Sequence, residues 1–163
     1  MPDLDASFLA LPLEHLRDAA LSRAAELGCS HADVRVERLR SAEREVRDRA
    51  LEAAVDSQTL GMSVRVVHEG VWGFAADITL TADGAARLAE RAVATARVSR
   101  PLTPHRVELA DEPVHAGAVW VSDYAVNPFD VDEAEQQGRL LELVGRLLEA
   151  LSLIHISEPT RPY

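Results

Sequence analysis

The sequence predicts an α+β fold in which helices pack on one face of an antiparallel sheet. Three observations support this prediction. Apolar residues recur at helical spacing near the N-terminus, they alternate with polar residues through the region that follows, and helical spacing then returns twice. Strands grouped together between helices are typical of an α+β domain rather than of a parallel α/β sheet.

The first helix is predicted to begin near Leu13 and to end at Gly28, because glycine favours the left-handed conformation that closes many helices. Its apolar positions at helical spacing are Leu13, Leu16, Ala20, Ala24 and Leu27. The stretch "ADVRVERLR" follows, and its alternation of apolar and charged residues predicts a half-buried strand.

Residues 41–58 allow two interpretations. Their alanine, glutamate and arginine content favours a helix, whereas Val46 and the neighbouring strands favour the arms of a hairpin. Context favours strands, and the sequence alone leaves the choice between helix and hairpin open. The next stretch, "GMSVRVVHEGVWGFAAD", predicts a β-hairpin more firmly, because two alternating arms flank a turn at Gly70.

A second long helix is predicted from an N-cap at Thr81 to about Val98. Four prolines between Ser99 and Phe129 indicate an irregular segment. Asp132 and Glu135 have the spacing of a capping box, which predicts a final helix. One face of that helix carries Leu140, Leu141, Val144, Leu147 and Leu148.

The last thirteen residues, "LSLIHISEPTRPY", differ in composition from the rest. Residues 1–150 contain no lysine and a single isoleucine, whereas this tail holds Ile154 and Ile156. The tail also resembles a translated adapter from sequencing libraries. We therefore expect one domain at 1–150, a truncated gene product, and an adapter-derived tail at 151–163 that is not a domain.

Composition restricts the class of protein. A net charge of −10, with arginines interleaved among acidic residues, disfavours direct nucleic-acid binding. The acidic N-terminus predicts neither a signal peptide nor a membrane span. A single cysteine, Cys29, permits no internal disulfide. We therefore expect a cytoplasmic protein without a membrane partner.

No complete catalytic or metal site is predicted. His68 and Glu69 lack a second histidine at zinc-ligand spacing, and we expect a solvated turn there. Cys29 is expected to be a half-buried cap residue. The residues expected to act as core or interface anchors are Trp72, Phe74, Leu141 and Leu148.

Three segments together carry a family resemblance: "ADVRVE", "LGMSVRVVHEGVWGFAAD" and "VNPFDVDEAEQQGRLLELV". They resemble the N-terminal region of the TldD/PmbA metallopeptidases, also called modulators of DNA gyrase. The "GFA" sequence at Gly73, Phe74 and Ala75 looks more like the TldD branch.

The resemblance implies the N-terminal domain of a two-domain protein. The zinc site, of the HExxxH type, would lie in a C-terminal domain beyond residue 150, so this fragment should hold no cofactor and be inactive. The resemblance also implies a PmbA-like partner subunit and unfolded peptides as substrates. The N-terminal domain would contribute to assembly and substrate enclosure. The alternative is a stand-alone, non-enzymatic module that binds proteins or peptides.

Overall fold

A computed structural model of the chain describes residues 5–151. The order of its elements is α1 (Ala6–Leu9), α2 (Leu13–Glu26), β1 (His31–Arg47), β2 (Ala50–His68), β3 (Val71–Asp77), α3 (Ala82–Ser99) and α4 (Glu133–Leu151). Short 3-10 turns lie at Arg100–Leu102 and Pro128–Asp130. The sheet has three strands in the order β1-β2-β3. The predicted α+β class is confirmed.

Both strand connections are tight turns. Asp48 and Arg49 between β1 and β2, and Glu69 and Gly70 between β2 and β3, all have positive φ. Two consecutive residues with positive φ are typical of the two-residue turns that match the twist of antiparallel strands. Residues 41–58 therefore form strands on either side of a turn, as context predicted, despite their helical propensity.

The described residues divide into two compact units: 5–39 with 58–122, and 40–57 with 123–151. In the first unit, α3 packs against β3 and α2. Its core consists of small and branched residues from both helices and from the inner face of the sheet, among them Leu16, Ala20, Val64, Val66, Leu88 and Val93. Fully burying a valine or leucine side chain contributes about 1.5–3 kcal/mol, so this layer supplies much of the unit's stability.

Gly73 sets how closely β3 approaches α3. A Cβ atom at this position would lie 1.9 Å from the carbonyl oxygen of Ala92. Only glycine permits that approach, since no side chain can share space with a helix backbone. The helix itself begins where predicted, because the Thr81 hydroxyl accepts a hydrogen bond of 3.1 Å from the Gly84 amide.

In the second unit, Arg44 joins the β1–β2 hairpin to the start of α4. Its side chain is 8% exposed, and its guanidinium lies 2.8 Å from Asp56 and 3.5 Å from Glu133. The guanidinium of Arg40 lies 4.6 Å from the centre of the Phe129 ring. At the N-terminus of α4, the Asp132 carboxylate accepts a hydrogen bond of 2.9 Å from the Ala134 amide, as an N-cap residue would.

Two features of the N-terminal and C-terminal regions bear on the sequence predictions. Helix α1 was not predicted; the Asp5 carboxylate caps it by accepting hydrogen bonds from the Ser7 and Phe8 amides. Of the predicted tail, residues 152–163 lie outside the described residues. The boundary of the predicted domain at 150 stays a prediction.

In the described part of the chain, no helix has the length and apolar character needed to cross a membrane.

Candidate functional site

The candidate site is the outer face of the sheet, the face opposite α2 and α3. Strand alternation places Val71, Gly73 and Ala75 toward the helices and sends Trp72 and Phe74 outward. Trp72 is half-buried and Phe74 is 56% exposed, so neither belongs to the core between sheet and helices. Their predicted role as interface anchors stays a prediction.

Trp72 is held by contacts on its face and its edge. The Arg65 guanidinium lies 4.7 Å from the ring centre, and the His31 ring meets it edge-on at 5.9 Å. Arg65 in turn donates a hydrogen bond of 2.8 Å from Nε to the Asp33 carboxylate. A cation above an indole face is favourable, and the carboxylate fixes the guanidinium in that position. Trp72 is therefore a preorganised part of the outer face.

Beside Phe74 the outer face is hollowed into a groove of about 510 Å³. All three strands line it, and its apolar wall includes Leu60, Phe74 and Ile78. Ile78 is 82% exposed. We call this the Phe74 groove. Sequence reasoning found Phe74 but missed Leu60 and Ile78, because only the pairing of the strands brings them together.

Charged residues border the Phe74 groove. Arg35 and Glu37 project from β1, with 3.6 Å between Nη1 of the arginine and the carboxylate. Asp77 marks the end of β3, where its carboxylate accepts hydrogen bonds from Thr79, through both amide and hydroxyl, from the Ile78 amide and from Arg91. These bonds lower the pKa of Asp77, those from Thr79 contributing most. The groove thus combines an apolar wall with the Arg35–Glu37 ion pair on one border and the Asp77–Arg91 ion pair at the end of β3.

The edge of β3 next to the groove has no neighbouring strand among the described residues. Strand β3 pairs with β2 from Met62 opposite Asp77 to His68 opposite Val71, and the sheet order ends there. In an antiparallel strand, every second residue directs its amide and carbonyl away from its partner. The backbone of β3 therefore offers hydrogen-bonding groups to an additional extended chain.

Leu141 and Leu148, the other two predicted anchors, lie on α4 in the second unit. Both are half-buried, and Leu141 shares a shallow cavity with Arg49. The more exposed leucines are Leu143 and Leu147, at 55% and 58%. An interface role for Leu141 and Leu148 stays a prediction. The helical spacing placed Leu141, Leu147 and Leu148 on one side of α4 without showing that Leu147 would be the most exposed of the three.

The predicted solvated turn at His68 and Glu69 is wrong for His68. Glu69 is exposed, but His68 is only 8% exposed. It continues the inward alternation of Val64 and Val66, and its Nε2 accepts a hydrogen bond of 3.3 Å from Arg97. Cys29 is half-buried as predicted, and burial raises the pKa of its thiol.

Within residues 5–151, no three His, Cys, Asp or Glu residues come together in a way that could hold a metal ion. The described residues therefore do not provide the ligands of a zinc site. The family resemblance places the zinc in a different domain, beyond residue 150. The outer face instead provides a free strand edge beside an apolar groove.

The fold and this face define an α+β domain with an open sheet edge. Residues 32–96 match a family model described as PmbA/TldA metallopeptidase domain 1. The resemblance deduced from the sequence is confirmed for that segment, which is similar to domain 1 of the PmbA/TldD metallopeptidases. It contains the sheet and most of α3. Among curated proteins, none matches the chain significantly.

Proposed function

We propose that the chain is the non-catalytic N-terminal part of a PmbA/TldD-type metallopeptidase that acts on unfolded peptides. In this role it contributes to assembly and to enclosing the substrate. One observation carries the proposal: the free edge of β3 runs beside the Phe74 groove. The match to the first domain of a metallopeptidase family gives this pairing of edge and groove its context.

An unfolded peptide suits such a surface because its backbone hydrogen-bonding groups are all available. Pairing with β3 would bind any extended sequence, while the side chains that alternate toward the outer face would enter the groove. The walls formed by Phe74 and Ile78 favour a large apolar side chain. Strand addition therefore gives affinity for extended peptides of any sequence, and the groove gives a preference for peptides with a large apolar side chain.

Under this proposal zinc and the cleaving groups belong to a further domain, and a PmbA-like subunit is the partner in assembly. The location is the cytoplasm. No step of the hydrolysis is assigned to this chain, whose described residues bring no three zinc-type ligands together.

Binding of a fluorescently labelled, chemically unfolded polypeptide tests the proposal. We expect the fluorescence anisotropy of the labelled polypeptide to rise and saturate as the chain's concentration increases. This rise should be lost in Phe74→Asp, because the substitution places a charge in the groove. Leu102→Asp is the matched control, because Leu102 is 85% exposed and does not line the groove. Equal binding by Phe74→Asp and the unmodified chain would contradict the proposal.

The second candidate is a stand-alone module that binds proteins or peptides without belonging to an enzyme. The preorganised Trp72 and the exposed Phe74 favour it, since exposed aromatic residues are common binding anchors. Sequencing the source DNA past codon 150 separates the two. A frame that continues into an HExxxH motif supports the peptidase, and a stop codon there supports the module.

A further inference from the structure

Small residues form the floor of the Phe74 groove. On the outer face, Ala76 of β3 lies between Phe74 and Ile78, and Ser63 of β2 lies opposite Ala76. Continuing the strand register by one residue places Gly61 beside Ile78. All three small residues line the groove. The floor therefore crosses the sheet from the free edge of β3 toward β2, with Phe74 and Ile78 as its walls.

Gly61 keeps the far end of this floor open. A Cβ atom at position 61 would lie 3.0 Å from the Asp77 carbonyl oxygen and 3.9 Å from Cγ2 of Ile78, and both of these residues line the groove. A longer side chain would fill the space beside Ile78. The backbone at Gly61 does not have a positive φ, so its conformation does not require glycine. A glycine inside a strand weakens the strand, and it often marks a site where a ligand approaches closely.

We propose that the Phe74 groove selects peptides with an aromatic side chain and that Gly61 sets this selection. The inference rests on the proposed function, because its ligand is an extended peptide on the free edge of β3. In an antiparallel pair, side chains directly opposite each other share one face, so the peptide residue opposite Ala76 enters the groove.

The distance across the sheet explains why a large side chain is needed. Neighbouring strands lie about 4.8 Å apart, so the backbone of an added strand lies about 10 Å from β2. An alanine or valine side chain of the peptide would end above β3. An aromatic ring would cross the floor between Phe74 and Ile78 and contact the backbone of Gly61.

Phe74 favours an aromatic ring over an aliphatic side chain. Its side chain is 56% exposed, so the ring is available for contact. Aromatic pairs in offset or edge-to-face arrangements are more favourable than burial of the same area alone. The groove volume of about 510 Å³ is in the range of pockets that hold whole small ligands, so it has room for the largest side chain.

Short fluorescent peptides that differ at one guest position test the selection. Their other residues are polar and favour strands, and the guest residue is phenylalanine, leucine or alanine. We expect the unmodified chain to bind the phenylalanine peptide at least about tenfold more tightly than the alanine peptide, because removing apolar groups from the occupant of a hydrophobic pocket has at least this effect. The leucine peptide should fall between them.

The variant Gly61→Val tests the role of the glycine. It should weaken binding of the phenylalanine peptide at least about tenfold and leave binding of the alanine peptide within about twofold. Both dissociation constants are measured on one protein sample, so their ratio does not depend on the folded fraction. A purely structural effect of the valine would leave this ratio unchanged. Ser57→Val is the matched control, because Ser57 is exposed on the same strand and does not line the groove.

Equal binding of the phenylalanine and alanine peptides by the unmodified chain would overturn the inference. A ratio that Gly61→Val leaves unchanged would also overturn it. Binding of the chemically unfolded polypeptide separates the two proposals. If the chain binds that polypeptide but does not distinguish the guest peptides, the selection fails alone. If the chain binds neither the polypeptide nor any guest peptide, the proposed function fails and the selection fails with it.

Discussion

Replacing Gly73 with alanine should destabilise the first unit severely for a change of one methyl group. The added Cβ would lie 1.9 Å from the Ala92 carbonyl oxygen and 2.9 Å from the Ala96 Cβ. The closer atom belongs to a helix backbone, which cannot rotate away as a side chain can. Helix α3 must therefore shift away from β3.

Overpacking of this kind typically costs about 1–3 kcal/mol and occasionally more. Alanine also restricts the unfolded chain and so regains roughly 0.4–1 kcal/mol, which is too little to offset a backbone clash. Each kcal/mol of lost stability lowers the melting temperature of a unit of about 60–100 residues, such as the first unit, by about 4–8 °C. We expect the clash to dominate.

Thermal and urea unfolding followed by circular dichroism measures the effect. Ala76→Val is one control, since Ala76 is exposed on the same strand and faces outward. Gly145→Ala is the other, because a Cβ there meets nothing within 4 Å. Adding Ala96→Gly to Gly73→Ala should restore little stability, as the clash with the carbonyl remains. A Gly73→Ala variant within about 0.5 kcal/mol of the unmodified chain, the range of ordinary surface substitutions, would refute the reasoning.

Three further changes test other parts of the structure. Thr81→Ala should cost about 1 kcal/mol by removing the α3 N-cap, while Thr81→Ser should be nearly neutral in urea unfolding. Asp77→Asn should destabilise at neutral pH. The pKa of Asp77 in the folded chain lies below its usual value of 3.8. The ionised Asp77 carboxylate therefore stabilises the fold above pH 3.8, and this stabilisation is lost as the pH falls through the folded pKa. The difference between variant and parent in urea midpoints should therefore shrink in acid, and a constant difference would contradict this. Arg44→Met should cost about 1–2 kcal/mol by removing its charged hydrogen bonds and should speed amide exchange at the start of α4; unchanged exchange would count against its bridging role.

The elements that the sequence predicts well are those with local causes. Helix α3 has its cap at Thr81 and an apolar face long enough to show its period, and the β2–β3 hairpin has a glycine in its turn. Helix α1 has only four residues, too few for a period to appear. Residues 41–58 needed context, because sheet pairing outweighed their helical propensity.

The candidate site was only partly predictable, for a physical reason. Alternation along β3 placed Trp72 and Phe74 on one side, but a strand pattern alone does not tell which side the helices cover. The groove also requires Ile78 and residues of β1 and β2, which are distant in sequence. The burial of His68 did leave a signal, since it continues the alternation of Val64 and Val66.

Hydrogen–deuterium exchange of the chain with and without an unfolded polypeptide tests the central claim most directly. If the domain binds extended peptides by strand addition beside the Phe74 groove, the peptide should slow exchange in Val71–Asp77, and Phe74→Asp should abolish that protection. Peptide binding that leaves β3 exchange unchanged, or protects only residues outside the sheet, would contradict the claim.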